Sequence, residues 1–172
     1  MKLPGNPRIA THRLLLRLVE ERDLPDLLAA NGDDAVTRYL PYPSWPGLEE
    51  ARAWLGRAQG RLANGEALQF VLERIGDGRV VGSALLFNFD EARRSGEVGY
   101  LLAREHWGQG YMKEALQALS GFARDSLGLT ELRAVIEEGN EASSQLVTHL
   151  GFAPCPEEAE GNLAAYRLHL MG

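Results

Sequence analysis

Cysteine is nearly missing from this chain: Cys155, between Pro154 and Pro156, is the only one among 172 residues. A single thiol forms no intrachain disulfide, so the fold is expected to rest on its core and to suit a reducing cytoplasm. No base neighbours Cys155 in sequence, and without a thiolate it is no nucleophile. His12, His106, His149 and His169 are scattered without ligand spacing or a cysteine partner, so no metal is expected. No apolar run approaches membrane-spanning length and the first residues lack the apolar core of a signal peptide, so no membrane partner is expected. Positive charge is in deficit, 18 Lys and Arg against 24 Asp and Glu, for a net −6. That balance disfavours nucleic acid as a partner and suits a cationic acceptor such as an amine or a basic peptide. Repeats, low-complexity tracts and long linkers are also absent. With 45% hydrophobic and 24% charged residues, positions 1–172 read as one soluble globular domain.

The patterning that is present alternates between strand and helix. Thr11–Leu18 reads as a first strand, and Arg22-Asp23-Leu24-Pro25 starts a helix with Asp23 as N-cap and Pro25 in its first turn. Tyr39–Pro46 holds three prolines and three aromatics and cannot be regular helix. Leu48–Leu62 is helical by pattern, with Gly65 punctuating its end. Leu68–Arg74 and Arg79–Phe89 form a hairpin through Gly76-Asp77-Gly78. Ser95–Leu102 is the next strand. Gly110–Leu127 is a long helix whose Met112, Leu116, Leu119 and Ala123 recur at helical spacing and belong to the core. Leu132–Glu137 is a strand, Ala142–Leu150 a helix closed by Gly151, and Ala164–Leu170 a last strand. The order predicts a mixed α/β sheet with helices on its faces.

Trp107-Gly108-Gln109-Gly110-Tyr111-Met112 joins the Ser95–Leu102 strand to the long helix. Two glycines let backbone N–H groups approach an anion closely, and a helix N-terminus adds unpaired donors and partial positive charge. Such a junction suits a pyrophosphate. A P-loop would need Gly-Lys-Ser/Thr, and a dinucleotide fingerprint would need a third glycine where Lys113 stands, so neither fits.

Three motifs occur in order: Gly96-Glu97-Val98-Gly99-Tyr100, Trp107-Gly108-Gln109-Gly110-Tyr111, and Asn140-Glu141-Ala142-Ser143 leading to Leu150-Gly151-Phe152. With the opening Thr11–Arg17 strand they resemble the GNAT N-acetyltransferases, in particular the RimJ/RimL-type branch that acetylates protein N-termini. The resemblance covers nearly the whole chain and implies the GNAT fold, a mostly antiparallel central sheet with helices on both faces. It implies acetyl-CoA as acyl donor, with the backbone of Trp107, Gly108, Gln109, Gly110, Tyr111 and Met112 holding the pyrophosphate. Leu102 and its neighbours would pair with the pantetheine arm, and an N–H near Leu101 or Leu102 would face the thioester oxygen. The family often carries Gln or Arg at the start of its loop motif. Here Glu105 stands there, and its carboxylate would repel a pyrophosphate unless it points to solvent or caps the helix region.

The resemblance also names the chemistry. Glu97 is similar to the glutamate many members use as general base, often through water. A free glutamate has a pKa of about 4.3, so such a base is weak unless burial raises it. Asn140 would contact the pantetheine or the acceptor, and Ser143 would protonate the departing thiolate. Many members place a tyrosine acid four residues beyond that serine, where this chain has Val147; Tyr100 and Tyr111 are the alternatives. Locally, Asn140 and Ser143 suit helix capping equally well. Tyr39, Tyr42, Trp45 and Phe87 are candidates for the acceptor wall, with Phe89 nearby. The expected activity is acetylation of a primary amine, foremost a protein N-terminal α-amine, by a cytoplasmic monomer or homodimer. A small-molecule amine (polyamine, aminoglycoside or amino acid) is the alternative acceptor, and a non-catalytic acyl-CoA-binding module the alternative of another class.

Overall fold

The computed structural model describes residues 1–171. Eight strands form one sheet in the order β1-β2-β3-β4-β5-β6-β8-β7. They are β1 (Arg8–Ala10), β2 (Leu14–Leu18), β3 (Ala67–Arg74), β4 (Val80–Asp90), β5 (Ser95–Leu102), β6 (Glu131–Glu137), β7 (Ala153–Pro154) and β8 (Leu163–His169). Every neighbouring pair is antiparallel except β5 and β6, which run parallel. The helices are α1 (Leu24–Asn31), α2 (Asp34–Thr37), α3 (Leu48–Ala63), α4 (Tyr111–Asp125) and α5 (Glu141–His149). The sheet is mixed, as the patterning predicts, and mostly antiparallel, as the resemblance implies. Among the described residues no helix is long and apolar enough to cross a membrane.

Strand alternation divides the core into two layers. Leu68, Phe70 and Leu72 of β3, Ala84 and Leu86 of β4, and Val98 of β5 pack beneath Ala115, Leu116, Leu119 and Ala123 of α4. Val71, one step out of phase, joins Leu24 and Leu27 of α1 and Ala51 and Leu55 of α3 in the opposite layer. Each fully buried leucine contributes about 1.5–3 kcal/mol relative to exposure. The periodic apolar stripe of α4 therefore fixes which way that helix faces.

Several boundaries differ from expectation for identifiable reasons. Thr11–Arg13 is a turn and not the start of a strand: the Thr11 N–H donates to the Leu14 carbonyl, and the Leu14 N–H donates back to the Thr11 hydroxyl. The chain before it, Arg8–Ala10, doubles back as the edge strand β1, too short to show alternation. The four-residue α2 was not anticipated; Asp33 caps it by accepting from the Ala35 N–H at 3.0 Å. The two-residue β7 exists only through its pairing with β8.

Asp23 is not the expected side-chain N-cap of α1. Its carboxylate accepts two bonds from the Arg17 guanidinium, at 2.8 and 2.7 Å, and one from the Glu20 N–H at 2.8 Å. Glu73 completes the cluster at 3.1 Å from Arg17. Arg17 and Asp23 are both almost fully buried. Hydrogen bonding to Asp23 raises the guanidinium pKa further above its ordinary value, against the opposing effect of burial. Removing one partner of such a pair strands a buried charge. Asp23→Ala is expected to lower the unfolding free energy by about 3–5 kcal/mol in a urea titration. A loss under about 1 kcal/mol, the level of an exposed pair, would contradict a structural role for the pair.

Candidate active site

β5 and β6 pair only at Ser95 with Glu131, Gly96 with Leu132 and Glu97 with Arg133. Beyond Glu97, β5 stays paired to β4 as far as Leu102, while β6 stays paired to β8. A gap therefore opens inside the sheet. The Ala103 N–H donates to the Val81 carbonyl of β4. By the alternation of an antiparallel ladder, Leu101 and Gly99 also turn their backbone groups to β4, whereas Tyr100 and Leu102 turn theirs to the gap. The N–H of Leu101 is thus committed to β4, which leaves Leu102, with Tyr100, as the donor position of the expected pair. The Trp107 indole closes one end of this edge by donating to the Leu102 carbonyl at 2.7 Å.

The glycine loop follows directly. Gly108 and Gly110 have φ of +74° and +80°, left-handed values that side-chain-bearing residues rarely adopt. Gly110 stands immediately before α4, so the first N–H groups of that helix point out of the loop. Tyr111 and Met112 are buried in the core, and the Gln109 side chain donates to the Glu105 carbonyl at 3.2 Å. The loop therefore offers an anion its backbone. Glu105 does not oppose this: its side chain is 64% exposed and lies 3.9 Å from Arg79 and 3.5 Å from His106.

Two residues without an assigned role in the sequence hold the loop in place. Arg13 donates to the Gln109 carbonyl at 2.9 Å and sits 4.2 Å over the Tyr111 ring. Glu114, in the first turn of α4, accepts from the Arg13 N–H and Nε, both at 2.8 Å, and from the Thr11 hydroxyl at 2.5 Å. Arg13 and Glu114 are 101 positions apart, so no local pattern links them.

A cavity of about 1110 Å³ runs through the gap. Glu97 shares a face with its register partner Phe87, toward the Pro-rich loop. Its carboxylate accepts from the Asn88 amide at 3.3 Å and lies 4.0 Å from Arg133. Asn88 has φ of +50° beside a bulge in β4, a sparsely populated conformation that aims its amide at Glu97. On the far side Asn140 caps α5 by accepting from the Ser143 N–H at 3.3 Å. The neighbouring Ser144 hydroxyl is engaged by the Asn140 carbonyl and the Tyr166 phenol. Glu97, Asn140 and Ser143 all line the cavity.

Tyr39, Tyr42, Trp45 and Phe87 line it too, so the Pro-rich loop does form its wall. Two of these aromatics also hold the loop itself. The Tyr42 phenol donates to Asn31 at 2.7 Å, with burial pushing its pKa up to about 12, and Trp45 packs on Trp54 at 5.2 Å. Phe89 does not border the cavity. Past the bulge it packs against the core beside Gly96.

The Acetyltransferase (GNAT) domain family matches residues 13–153. The chain belongs to the GNAT acetyltransferases. It is 30% identical over 156 residues to the uncharacterized N-acetyltransferase p20 of Bacillus licheniformis, covering 91% of this chain and 85% of that one. It is 29% identical over 175 residues to the [ribosomal protein uS5]-alanine N-acetyltransferase of Escherichia coli, covering 94% and 83%. Its fold superposes with a TM-score of 0.81 on RimL, a ribosomal L7/L12 alpha-N-protein acetyltransferase solved in complex with coenzyme A, at 18% identity and covering 95% and 98%. The chain is thus an acyltransferase of the GNAT family.

Burial raises the Glu114 pKa, but the bonds from Thr11 and Arg13 outweigh it and hold the carboxyl below its ordinary 4.5. A depressed carboxylate stabilises the fold fully above its unfolded pKa and loses that contribution as pH falls through the folded one. Glu114→Gln is accordingly expected to lower stability at pH 7 by about 1–3 kcal/mol in urea unfolding. The difference from wild type should shrink as the solution is acidified below the ordinary value. A gap that stays constant into acid would show that the carboxylate charge contributes nothing.

Proposed function

We propose that this GNAT enzyme transfers the acetyl group of acetyl-CoA to the N-terminal α-amine of a protein, in the cytoplasm, with residues 1–172 acting as one catalytic domain. The observation that carries the reading is the cavity through the parted strands, with Glu97 on one face and Ser143 on the other. An extended arm laid along Tyr100 and Leu102 would complete the open edge as an added strand does. An N–H on that edge would also serve the thioester oxygen as charge develops there. Acetyl-CoA supplies an acyl group already activated as a thioester.

The acceptor follows from acid–base matching. Glu97 is held by Asn88 and faces Arg133, and a carboxylate is in general a weak base toward a protonated amine. An α-amine titrates near 7.7–8.0, so about a tenth or more is neutral at pH 7 and ready to attack. A lysine-type amine titrates near 10.4, leaving well under about 1% neutral, and would call for a stronger base. Glu97 therefore binds the incoming ammonium and takes the proton released on attack, directly or through water. Ser143 gives the departing sulfur its proton. The uS5-alanine relative points to the same kind of acceptor.

The test is thiol release from acetyl-CoA against N-terminal peptides, polyamines, aminoglycosides and free amino acids. Turnover with peptides, with mass added at the α-amine, is expected. Glu97→Gln should lower kcat by about 10²–10⁴-fold while coenzyme A affinity holds. Turnover confined to a small amine would overturn the acceptor. Coenzyme A binding with no turnover anywhere would favour a binding module.

A further inference from the structure

Among the described residues, the buried side-chain atoms without a hydrogen-bond partner are the Tyr100 hydroxyl and Arg167 Nε. Arg167 Nε still lies 3.1 Å from the Glu131 carboxylate, so its charge is answered. Tyr100 has no such counterpart: the Ser143 hydroxyl and the Tyr166 phenol are its polar neighbours, and neither makes a full hydrogen bond to it. A phenol buried without a partner costs free energy that a phenylalanine would avoid, so its presence calls for a reason.

Its placement supplies one. Tyr100 alternates with Glu97 across the sheet, so the acceptor-side carboxylate and the phenol stand on opposite sides of the gap. The phenol lines the same cavity as Ser143 and Asn140. Burial raises its pKa above the ordinary tyrosine value, with the Ser143 hydroxyl opposing. It therefore keeps its proton throughout the physiological range and is suited to donate a hydrogen bond rather than to act as an acid.

We propose that the Tyr100 hydroxyl donates a hydrogen bond to the thioester sulfur as negative charge builds on it, a role that rests on the acetyl-transfer reading above. When the amine nitrogen bonds to the acyl carbon, the carbon–sulfur bond breaks and its electron pair stays on sulfur. The proton released by nitrogen goes to Glu97. The sulfur is protonated through Ser143, which is refilled from water, and Tyr100 retains its own proton. The phenol's unmet hydrogen bond is thus made only when the cofactor arm is in place, where it favours the departing thiolate over the intact thioester.

Tyr100→Phe in the full chain tests this with three readings. Without ligand, the thermal midpoint should be unchanged or higher, because no native hydrogen bond is lost. The thiol pKa of bound coenzyme A, followed by thiolate ultraviolet absorbance, should be lower than that of free coenzyme A in wild type and rise in the variant. With acetyl-CoA, kcat should fall about a hundredfold, the lower end of the range for one lost charge-stabilising donor. A lowered midpoint together with an unchanged bound-thiol pKa would overturn the proposal and assign the phenol to packing. If wild type lowers the thiol pKa but turns over no amine, the Tyr100 contact stands and the acetyl-transfer reading fails. If wild type turns over and the variant matches it in kcat and thiol pKa, only the Tyr100 proposal fails.

Discussion

β5 and β6 stop pairing after Glu97 and Arg133, and the rest of the site is organised around that separation. A parallel pair at mid-sheet normally satisfies both backbones, and each unpaired N–H or C=O is a standing cost. Here Tyr100 and Leu102 face a gap, and the cavity runs through the sheet instead of lying on it. This lets one strand present a carboxylate to one face and a phenol to the other within four residues. The two helical layers cover opposite faces of the sheet.

Charge is handled differently at each place the fold needs it. Arg17, Asp23 and Glu73 form a buried cluster that ties β2 and β3 to the start of α1. Arg13 and Glu114 form a half-exposed brace that holds the glycine loop against the turn before β2. Glu97 is left with one amide and one distant cation, which leaves its carboxylate outside any short ion pair. A glutamate locked in a short bidentate pair would be a poor partner for an ammonium.

Much of this was legible because it is local. The apolar stripe of α4, the strand before it and the two glycines between them are periodicity and backbone freedom, which short windows of sequence carry. The Asn140 cap and the Pro-rich aromatic wall were legible for the same reason. What escaped depends on residues far apart in sequence. Glu114 reads as an ordinary first-turn acid until the fold brings Arg13 to it. Asp23 has the chemistry of an N-cap, and only the nearness of Arg17 diverts it. The Asn88 conformation follows from a register shift in β4 that no propensity encodes. Glu105 is exposed and near Arg79, a partner just before β4 that its sequence neighbours do not announce.

The central claim is that the open edge of β5 receives the acyl donor. Amide hydrogen exchange across Gly99–Leu102, with and without acetyl-CoA, tests it most directly. The account predicts an alternating response. Tyr100 and Leu102 amides exchange readily alone and slow strongly on binding, while Gly99 and Leu101, already bonded to β4, change little. Tight binding that leaves Tyr100 and Leu102 exchanging at their unbound rate would contradict it.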